Sequence, residues 1–349
     1  MWKTVDYTKK QINAAGRRIC EGNLTAEQEN ECRQIIDNWR AAHAFPMNTF
    51  AVNLKRQVRD NQNAIVAQRL KRLDTIVGKL SRFPKMELYR MQDVGGCRVI
   101  LNSIDEVYSL RKRIQDSRIR HEEHNSKDYI AIPNPSTGYR GLHVIYRYKS
   151  DKKSDYNGLQ IEIQIRTKLQ HLWATAVETV GVFTQNGLKF NQGSERWLRF
   201  FKVASALFSV EEKSAIVEGV SNNPSEITQE LKGIIDELGV YDKFLTIGLA
   251  AREFGRVSHG KTAGYYLLVL DIDKMVLAIK AFTGVEKSLE EATAAYNRIE
   301  AEKGSRSIDA VLVSAQSFDL LAAAYPNYFA DITEFSSTLR RLVDKYSKG

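Results

Sequence analysis

Two acidic residues stand at positions where a chain could build a site for a metal ion and phosphates. Asp93 directly precedes a run of small and apolar residues that ends at Leu101, and Glu162 lies within Leu159–Thr167. Around Glu162, isoleucines at 161, 163 and 165 alternate with polar residues, which predicts a strand with one buried face. Two carboxylates on neighbouring strands can hold a hard cation such as Mg²⁺ beside phosphate groups. The alternative is an amphipathic edge strand with one solvated face.

The segment 126–143 connects these two acidic regions and has the composition of a constrained loop. It contains two prolines, two glycines and a Ser-Thr pair, which favour turns. It also carries Lys127, Tyr139, Arg140 and His143. Cations and a histidine suit phosphates, and an aromatic ring can stack on a base. The sequence therefore predicts a loop that binds a nucleotide carrying several phosphates.

Together these motifs resemble the synthetase domain of the RelA/SpoT family across roughly residues 40 to 200. The resemblance implies a nucleotidyltransferase-like fold and the transfer of pyrophosphate from ATP to a hydroxyl on a nucleotide. The segments that carry the resemblance are Asp93–Leu101, Lys127–Ile130, Gly138–His143 and Glu162–Thr167, with Arg69–Arg72, Lys79 and Trp173–Glu178 flanking them.

The resemblance also implies residue roles. Asp93 is expected to bind Mg²⁺, and Glu162 is expected to support the metal or to activate the attacking hydroxyl. Tyr139 is expected to stack on the acceptor base with Arg140 beside it, and His143 completes the expected catalytic set. The residues expected to bind ATP are Arg69, Lys71, Lys79, Arg98 and Lys127. The cations expected to contact an RNA acceptor are Lys9, Lys10, Arg17 and Arg18, for which a solvated helix face is the alternative.

Composition and charge set the broad class of the protein. The 349 residues carry a net charge of +9, and 43% of them are hydrophobic, which is enough for an ordinary core. Residues 1–222 hold 36 Lys and Arg against 24 Asp and Glu (+12), whereas residues 223–349 hold 15 against 18 (−3). A basic body suits a polyanion such as RNA, although ATP binding and solvated lysines would also account for it. Three scattered cysteines predict neither disulfides nor a zinc site. A reducing compartment and the lack of an apolar run long enough to span a membrane favour a cytoplasmic protein.

The polar run at 218–225 predicts a domain boundary. We expect an α+β protein: a synthetase domain over 1–222 with a mixed sheet flanked by helices, and a small regulatory α+β domain over 223–349. The second domain begins with linker helices at about 225–255 and continues with the α+β part at about 264–349. The predicted helices are 5–19, 25–42, 52–81, 105–115, 168–184, 194–215, 225–238, 240–255, 288–303 and 332–346. Thr25 with Gln28 predicts a capping box at the start of the second of these helices. The predicted strands are 97–102, 142–149, 159–166, 264–271, 276–282 and 308–314, and residues 44–50 are expected to form a turn.

The C-terminal part resembles the tail of the CapRel group, toxic alarmone synthetases fused to their antitoxin. Tyr325 and Tyr328 match the two positions of a Tyr-x-x-Tyr motif that blocks the ATP site in that group, although two tyrosines beside a proline are also ordinary packing. The resemblance implies an autoinhibited toxin that is released by a phage structural protein and pyrophosphorylates the 3′-CCA end of tRNA.

Departures from the synthetase family near the acceptor bear on its choice of substrate. Gly141 stands where alarmone-making members usually carry Ser, Ser136-Thr137 where they often carry Lys, and Glu178-Thr179 where they show Glu-His. These differences leave room for a tRNA end. Two alternatives stay open: a small alarmone synthetase that makes (p)ppGpp or (p)ppApp, and an inactive nucleotide-binding sensor. No histidine is followed by Asp, so the chain is expected to make its product and not to hydrolyse it.

Overall fold

The structure, a computed structural model, describes residues 2–117, 119–183, 195–244, 265–271, 276–282, 287–302, 308–314 and 332–347. Its principal helices are Lys9–Glu21 (α1), Ala26–Ala42 (α2), Ala44–Gln57 (α3), Leu73–Arg82 (α4), Ile104–Asp116 (α5), Lys168–Phe183 (α6), Glu195–Glu211 (α7), Pro224–Leu238 (α8), Lys287–Glu302 (α9) and Thr333–Tyr346 (α10). Its strands are Ile65–Leu70 (β1), Gly95–Leu101 (β2), Glu122–Asp128 (β3), Leu142–Arg147 (β4), Gln160–Thr167 (β5), Tyr265–Asp271 (β6), Val276–Phe282 (β7) and Ile308–Ser314 (β8).

The eight described strands form one sheet in the order β3-β4-β5-β2-β1-β8-β6-β7. Within this sheet β2 and β5 run parallel, and the other described neighbours are antiparallel. The predicted mixed sheet with flanking helices is therefore confirmed. The strands predicted at 264–271 and 276–282 are also present and form a hairpin, because β6 and β7 pair antiparallel from Tyr265 opposite Phe282 to Asp271 opposite Val276.

The predicted helix over 52–81 is wrong. The chain instead forms the end of α3, the strand β1 and the helix α4. Consecutive β-branched residues at Ile65 and Val66 favour a strand, and β1 gains its hydrogen bonds by pairing antiparallel with β2. Arg69 therefore lies on a strand, Lys71 lies in the turn after it, and Lys79 lies on α4, where the sequence had suggested a single basic helix.

The predicted turn at 44–50 is also wrong, because α3 begins at Ala44. Pro46 occupies the first turn of that helix, where a missing backbone N–H breaks no intrahelical hydrogen bond. The strand β3 was not predicted, since its side chains are almost all polar and exposed and show no alternation. It is nevertheless held on the edge of the sheet by antiparallel pairing with β4.

Two apolar clusters hold the helices against the sheet. Ile161, Ile163 and Ile165 of β5 are buried in a core shared with α2, α3 and α5. A second core joins α6, α7, α8 and α10 and includes Phe208 and Phe335, which are both buried. At the N-terminus, α1 and α2 each begin with a capping box, as predicted for the second.

The C-terminal strands extend the sheet that also carries the predicted catalytic residues. β8 pairs with β1 at Gln68 opposite Ser314 and at Arg69 opposite Val313. This two-residue register is much shorter than the pairing of β8 with β6, which extends from Tyr266 to Asp271. Among the described helices, none has both the length and the apolar composition that crossing a bilayer requires.

Candidate active site

Polar side chains cover one face of the sheet, opposite the isoleucines of β5. The register places Gln164 of β5 across from Arg98 of β2 and from His143 of β4. His143 in turn lies across from Lys127 of the edge strand β3. Residues that lie directly opposite in a sheet share a face, as do residues two apart in one strand, so Glu162 belongs to this row as well. Strand pairing thus gathers residues spread over some sixty positions of sequence.

Asp93 lies just before β2 and is held by two lysines. Lys71 Nζ donates to its Oδ2 at 2.7 Å, and Lys79 Nζ donates to its Oδ1 at 3.0 Å. Burial alone would raise the pKa of Asp93, but the two ammonium groups outweigh burial and hold the pKa below its ordinary value. Burial lowers the pKa of Lys71, and its contact with Asp93 opposes that change. Asp93 is consequently a carboxylate at neutral pH, in a strongly cationic setting.

Glu162 belongs to a second group of coupled side chains. His143 Nδ1 lies 2.8 Å from Glu162 Oε1, and His143 Nε2 lies 2.5 Å from the Tyr139 hydroxyl. Burial would raise the pKa of Glu162, but His143 and the Gln164 amide bring it down to about 2. Burial would lower the pKa of His143, yet Tyr139 and Glu162 raise it to about 9. The pair is therefore an imidazolium and a carboxylate at neutral pH.

Two adjoining cavities meet at Asp93 and Glu162, which line both of them. The larger has a volume of about 200 Å³ and the smaller of about 80 Å³. Besides the two carboxylates, the larger cavity is lined by Lys79, Gln92, Asn125, Ser126, Lys127, Tyr129, His143 and Ile145. The smaller is lined by Arg69, Lys71, Gly96, Cys97, Arg98 and Gln164. Each cavity thus offers cations to an anionic ligand, with the two carboxylates between them.

The two carboxylates fit a magnesium ion that takes most of its ligands from elsewhere. Both are ionised at neutral pH, and both face the same cavities. Among the described residues, no group of three or more His, Cys, Asp or Glu is arranged to enclose a metal. Mg²⁺ bound with nucleotides commonly takes one or two carboxylates and completes its shell with phosphate oxygens and water. Asp93 and Glu162 match that donor set.

Arg140, predicted to lie beside the acceptor, lines neither of the two cavities. Its side chain is 2% exposed and donates from Nη1 to Glu212 Oε2 at 2.6 Å. The same guanidinium donates to Ser205 Oγ at 3.3 Å and to Ser214 Oγ at 3.0 Å. All three partners lie in or just after α7. Arg140 thus anchors the loop to α7, and its role at the acceptor stays a prediction.

The four cations of the first helix are not brought to the cavities either. α1 packs on α2 and α4, with Lys9 stacked 5.4 Å from the centre of the Tyr89 ring and Arg18 paired with Glu31 at 3.5 Å. Lys10 and Arg17 are exposed. A role in contacting a bound polyanion outside the cavities stays a prediction. Tyr325 and Tyr328, predicted to block the ATP site, lie outside the described residues.

Several residues of the site were missed by sequence reasoning. Gln92, Asn125, Ser126 and Tyr129 line the larger cavity. The polar alternation of β5 placed Arg166 on the correct face but assigned it no role. Its hydrogen bond to the Tyr139 hydroxyl could not have been predicted from the sequence, because Tyr139 lies on a loop 27 residues away.

Known proteins are similar to the part of the chain that carries these residues. The family described as "Region found in RelA / SpoT proteins" matches residues 68–183. The GTP pyrophosphokinase YwaC of Bacillus subtilis (strain 168) is 33% identical over 171 residues, which are 44% of this chain and 79% of that protein. An uncharacterized protein of Mycobacterium tuberculosis (strain ATCC 25618 / H37Rv) is 31% identical over 137 residues, 38% of this chain, and the match spans only 45% of that protein's length.

Among solved structures, the small alarmone synthetase 1 of Bacillus subtilis bound to its product pppGpp is similar, with 24% identity and a TM-score of 0.41. The similarity covers 48% of this chain and 88% of that one. The sequence identity to YwaC over four fifths of that protein decides the relationship. The chain belongs to the RelA/SpoT family.

Proposed function

We propose that the protein is an ATP-dependent pyrophosphokinase that transfers pyrophosphate to a hydroxyl of a nucleotide acceptor. The observation that carries this proposal is the placement of Asp93 and Glu162 between two cation-lined cavities. Each cavity offers cations to phosphate groups, and phosphates bound in the two cavities would meet at the carboxylates. Phosphoryl-type transfer depends mostly on this kind of positioning and charge neutralisation.

The reaction follows from the chemistry of the two substrates. The acceptor hydroxyl forms a new bond to the β-phosphorus of ATP, the bond from that phosphorus to the oxygen bridging to the α-phosphorus breaks, and AMP leaves with that oxygen. The hydroxyl proton passes to a base or to solvent. The cations placed to neutralise the phosphates are Arg69, Lys71, Lys79, Arg98 and Lys127.

Of the two roles expected for Glu162, holding the metal is better supported than proton abstraction. A general base works best when its pKa lies near the working pH. His143 and Gln164 hold the pKa of Glu162 at about 2, so its carboxylate is a weak base at neutral pH. Mg²⁺ bound by Asp93 and Glu162 would supply further neutralisation of the phosphates.

As acceptor we propose the terminal adenosine of the tRNA 3′ end. Three observations support this acceptor: Gly141 replaces the Ser usual in alarmone-making members, the Tyr139 hydroxyl contacts His143, which lines the larger cavity, and α1 carries exposed cations outside the cavities. A guanosine nucleotide is the second candidate, favoured by the 33% identity to YwaC, a protein named GTP pyrophosphokinase.

Label transfer separates these acceptors. The full chain is incubated with γ-³²P-ATP and deacylated tRNA, GDP, GTP and AMP together, with Asp93→Asn as the inactive control. Label on tRNA that depends on the 3′-terminal adenosine supports the tRNA acceptor. Label on a nucleotide alone replaces it with an alarmone synthetase. No label on any acceptor, either from the full chain or from its Tyr325→Ala/Tyr328→Ala variant, would contradict pyrophosphokinase activity.

We also propose that residues 223–349 restrain the enzyme. The support is the attachment of β8 to β1 at Arg69, beside the smaller cavity. The Arg40 guanidinium of α2 strengthens the connection, since it lies 4.7 Å from the centre of the Tyr296 ring of α9 and donates from Nε to the Lys71 carbonyl at 2.9 Å. One arginine thus links the C-terminal part to the residue that holds Asp93.

The predicted block by Tyr325 and Tyr328 and the predicted release by a phage structural protein belong to the same proposal. Expression of the full chain carrying Tyr325→Ala and Tyr328→Ala is expected to arrest growth, whereas the parent chain is tolerated. A double variant that folds and stays harmless would contradict the blocking role. Co-expression of individual phage structural proteins with the parent chain tests the trigger. If none of these proteins causes growth arrest, release of the enzyme by a phage structural protein is contradicted.

A further inference from the structure

Five polar side chains beside the larger cavity close into a ring of hydrogen bonds. Glu162 begins the ring, because each of its two carboxylate oxygens binds a different member. The contacts are Glu162 Oε1 to His143 Nδ1 at 2.8 Å, His143 Nε2 to the Tyr139 hydroxyl at 2.5 Å, Arg166 Nε to the same hydroxyl at 3.0 Å, Arg166 Nη2 to Gln164 Oε1 at 2.9 Å, and Gln164 Nε2 to Glu162 Oε2 at 2.7 Å.

Arg166 joins the loop to the strand within this ring. It is 5% exposed, and its guanidinium lies 5.1 Å from the centre of the Tyr139 ring as well as within hydrogen-bond distance of the Tyr139 hydroxyl. Tyr139 is therefore fixed both at its oxygen and at its ring by one planar group. Through Gln164 the same guanidinium also orients the Glu162 carboxylate. A guanidinium has rigid, divergent N–H donors, which suits it to connecting two partners at fixed angles.

Gly141 provides the space that this contact occupies. Its φ of +154° lies in a region that other residues rarely adopt. A Cβ at this position would lie 3.0 Å from the Tyr139 hydroxyl oxygen and 3.2 Å from Arg166 Cγ. Any side chain here would push apart the two groups that close the ring.

We propose that Arg166 is a positioning residue that sets Tyr139 and Glu162 relative to one another, and that Gly141 is required for this arrangement. The inference deepens the proposed pyrophosphokinase function and rests on it for its kinetic consequence. Arg166 acts through Tyr139, the expected acceptor-stacking ring, and through Glu162, the expected metal ligand. Loss of Arg166 should therefore impair both acceptor binding and the rate of transfer, while ATP binding through Lys71 and Lys79 is retained.

The geometry is tested first by a double-mutant cycle that needs no enzymatic activity. Urea unfolding of the full chain is compared for Gly141→Ala, Tyr139→Phe and the double variant. Gly141→Ala should lower the folding equilibrium constant, and the loss should be smaller by about tenfold in the Tyr139→Phe background, where the crowded hydroxyl is gone. Additive effects of the two substitutions would overturn the role of Gly141.

The consequence is tested by steady-state transfer with Arg166→Met and Arg166→Lys in the full chain. Arg166→Met should lower kcat/KM for the acceptor by about 10- to 100-fold with the KM for ATP unchanged, as is usual when a supporting hydrogen-bond partner is lost. Arg166→Lys can restore one of the two bonds and should retain more activity. Equal KM and kcat in all three proteins would overturn the inference. A parent chain that transfers nothing would instead refute the proposed function, and the unfolding cycle would still decide the geometry.

Discussion

Substitution of Arg140 by Met provides a direct test of whether this residue stabilises the fold or binds the acceptor. Arg140 and Glu212 form an ion pair at 2.6 Å, and their side chains are 2% and 8% exposed. Met keeps much of the buried volume of Arg but removes its charge. Glu212 would then keep only neutral partners, the Thr167 hydroxyl and the Gln170 amide. A buried carboxylate left without its cation is strongly destabilising.

The expected loss is about 3–5 kcal/mol in the free energy of unfolding, the range found when one partner of a buried ion pair is removed. At about 2–4 °C per kcal/mol for a cooperative unit of this size, the melting midpoint should fall by roughly 6–20 °C. Circular dichroism at 222 nm during urea and thermal unfolding measures both quantities. Activity measured well below the new midpoint should show a near-normal KM for the acceptor.

Two further variants serve as controls. Arg147→Met changes an exposed arginine of the same strand region and should alter stability by no more than about 0.5 kcal/mol. Arg140→Met combined with Glu212→Leu removes both charges and should recover much of the lost stability, because no unpaired charge remains buried. If Arg140→Met unfolds like the parent protein but raises the acceptor KM, the ion pair is not structural and the acceptor role predicted from the sequence is correct.

Three other predictions concern separate parts of the chain. Asp93→Asn should lower labelled pyrophosphate transfer by roughly 10³-fold, because it removes the negative charge that Lys71 and Lys79 bind. A rate within a few-fold of the parent rate would exclude Asp93 from the metal site. Tyr296→Ala should raise the transfer rate of the full chain about fivefold or more by loosening the C-terminal part, whereas an unchanged rate would separate this contact from any restraint. Gly138→Ala should cost more than about 1 kcal/mol in urea unfolding, because φ is +79° and the new Cβ would lie 3.1 Å from Lys202 Cα. Gly158→Ala is its matched control, since φ there is +89° but the added Cβ meets nothing within 4 Å, so equal losses would assign the whole effect to backbone strain.

Local sequence patterns predicted those parts of the fold whose physical cause is also local. The alternation around Glu162 predicted a strand and the face that carries its polar side chains, and the structure has β5 at Gln160–Thr167. Thr25 and Gln28 predicted the start of α2, because a capping box involves only residues three positions apart. The polar strand β3 was missed because the cause of its formation is not local. Pairing with β4 stabilises it, and its own side chains show no alternation that would predict a strand.

The sequence by itself therefore determined which residue types could serve phosphate chemistry and on which side of a strand some of them would lie. Only the tertiary structure decided which of them meet. Lys71 and Lys79 reach Asp93 because β1, α4 and β2 come together, and the ring through Arg166 closes because a loop with a glycine at 141 folds onto β5. Arg140 belongs to the same loop, yet its side chain is bound by Glu212, 72 residues away. Periodicity records the environment of a side chain, whereas its partners depend on the packing of elements distant in sequence.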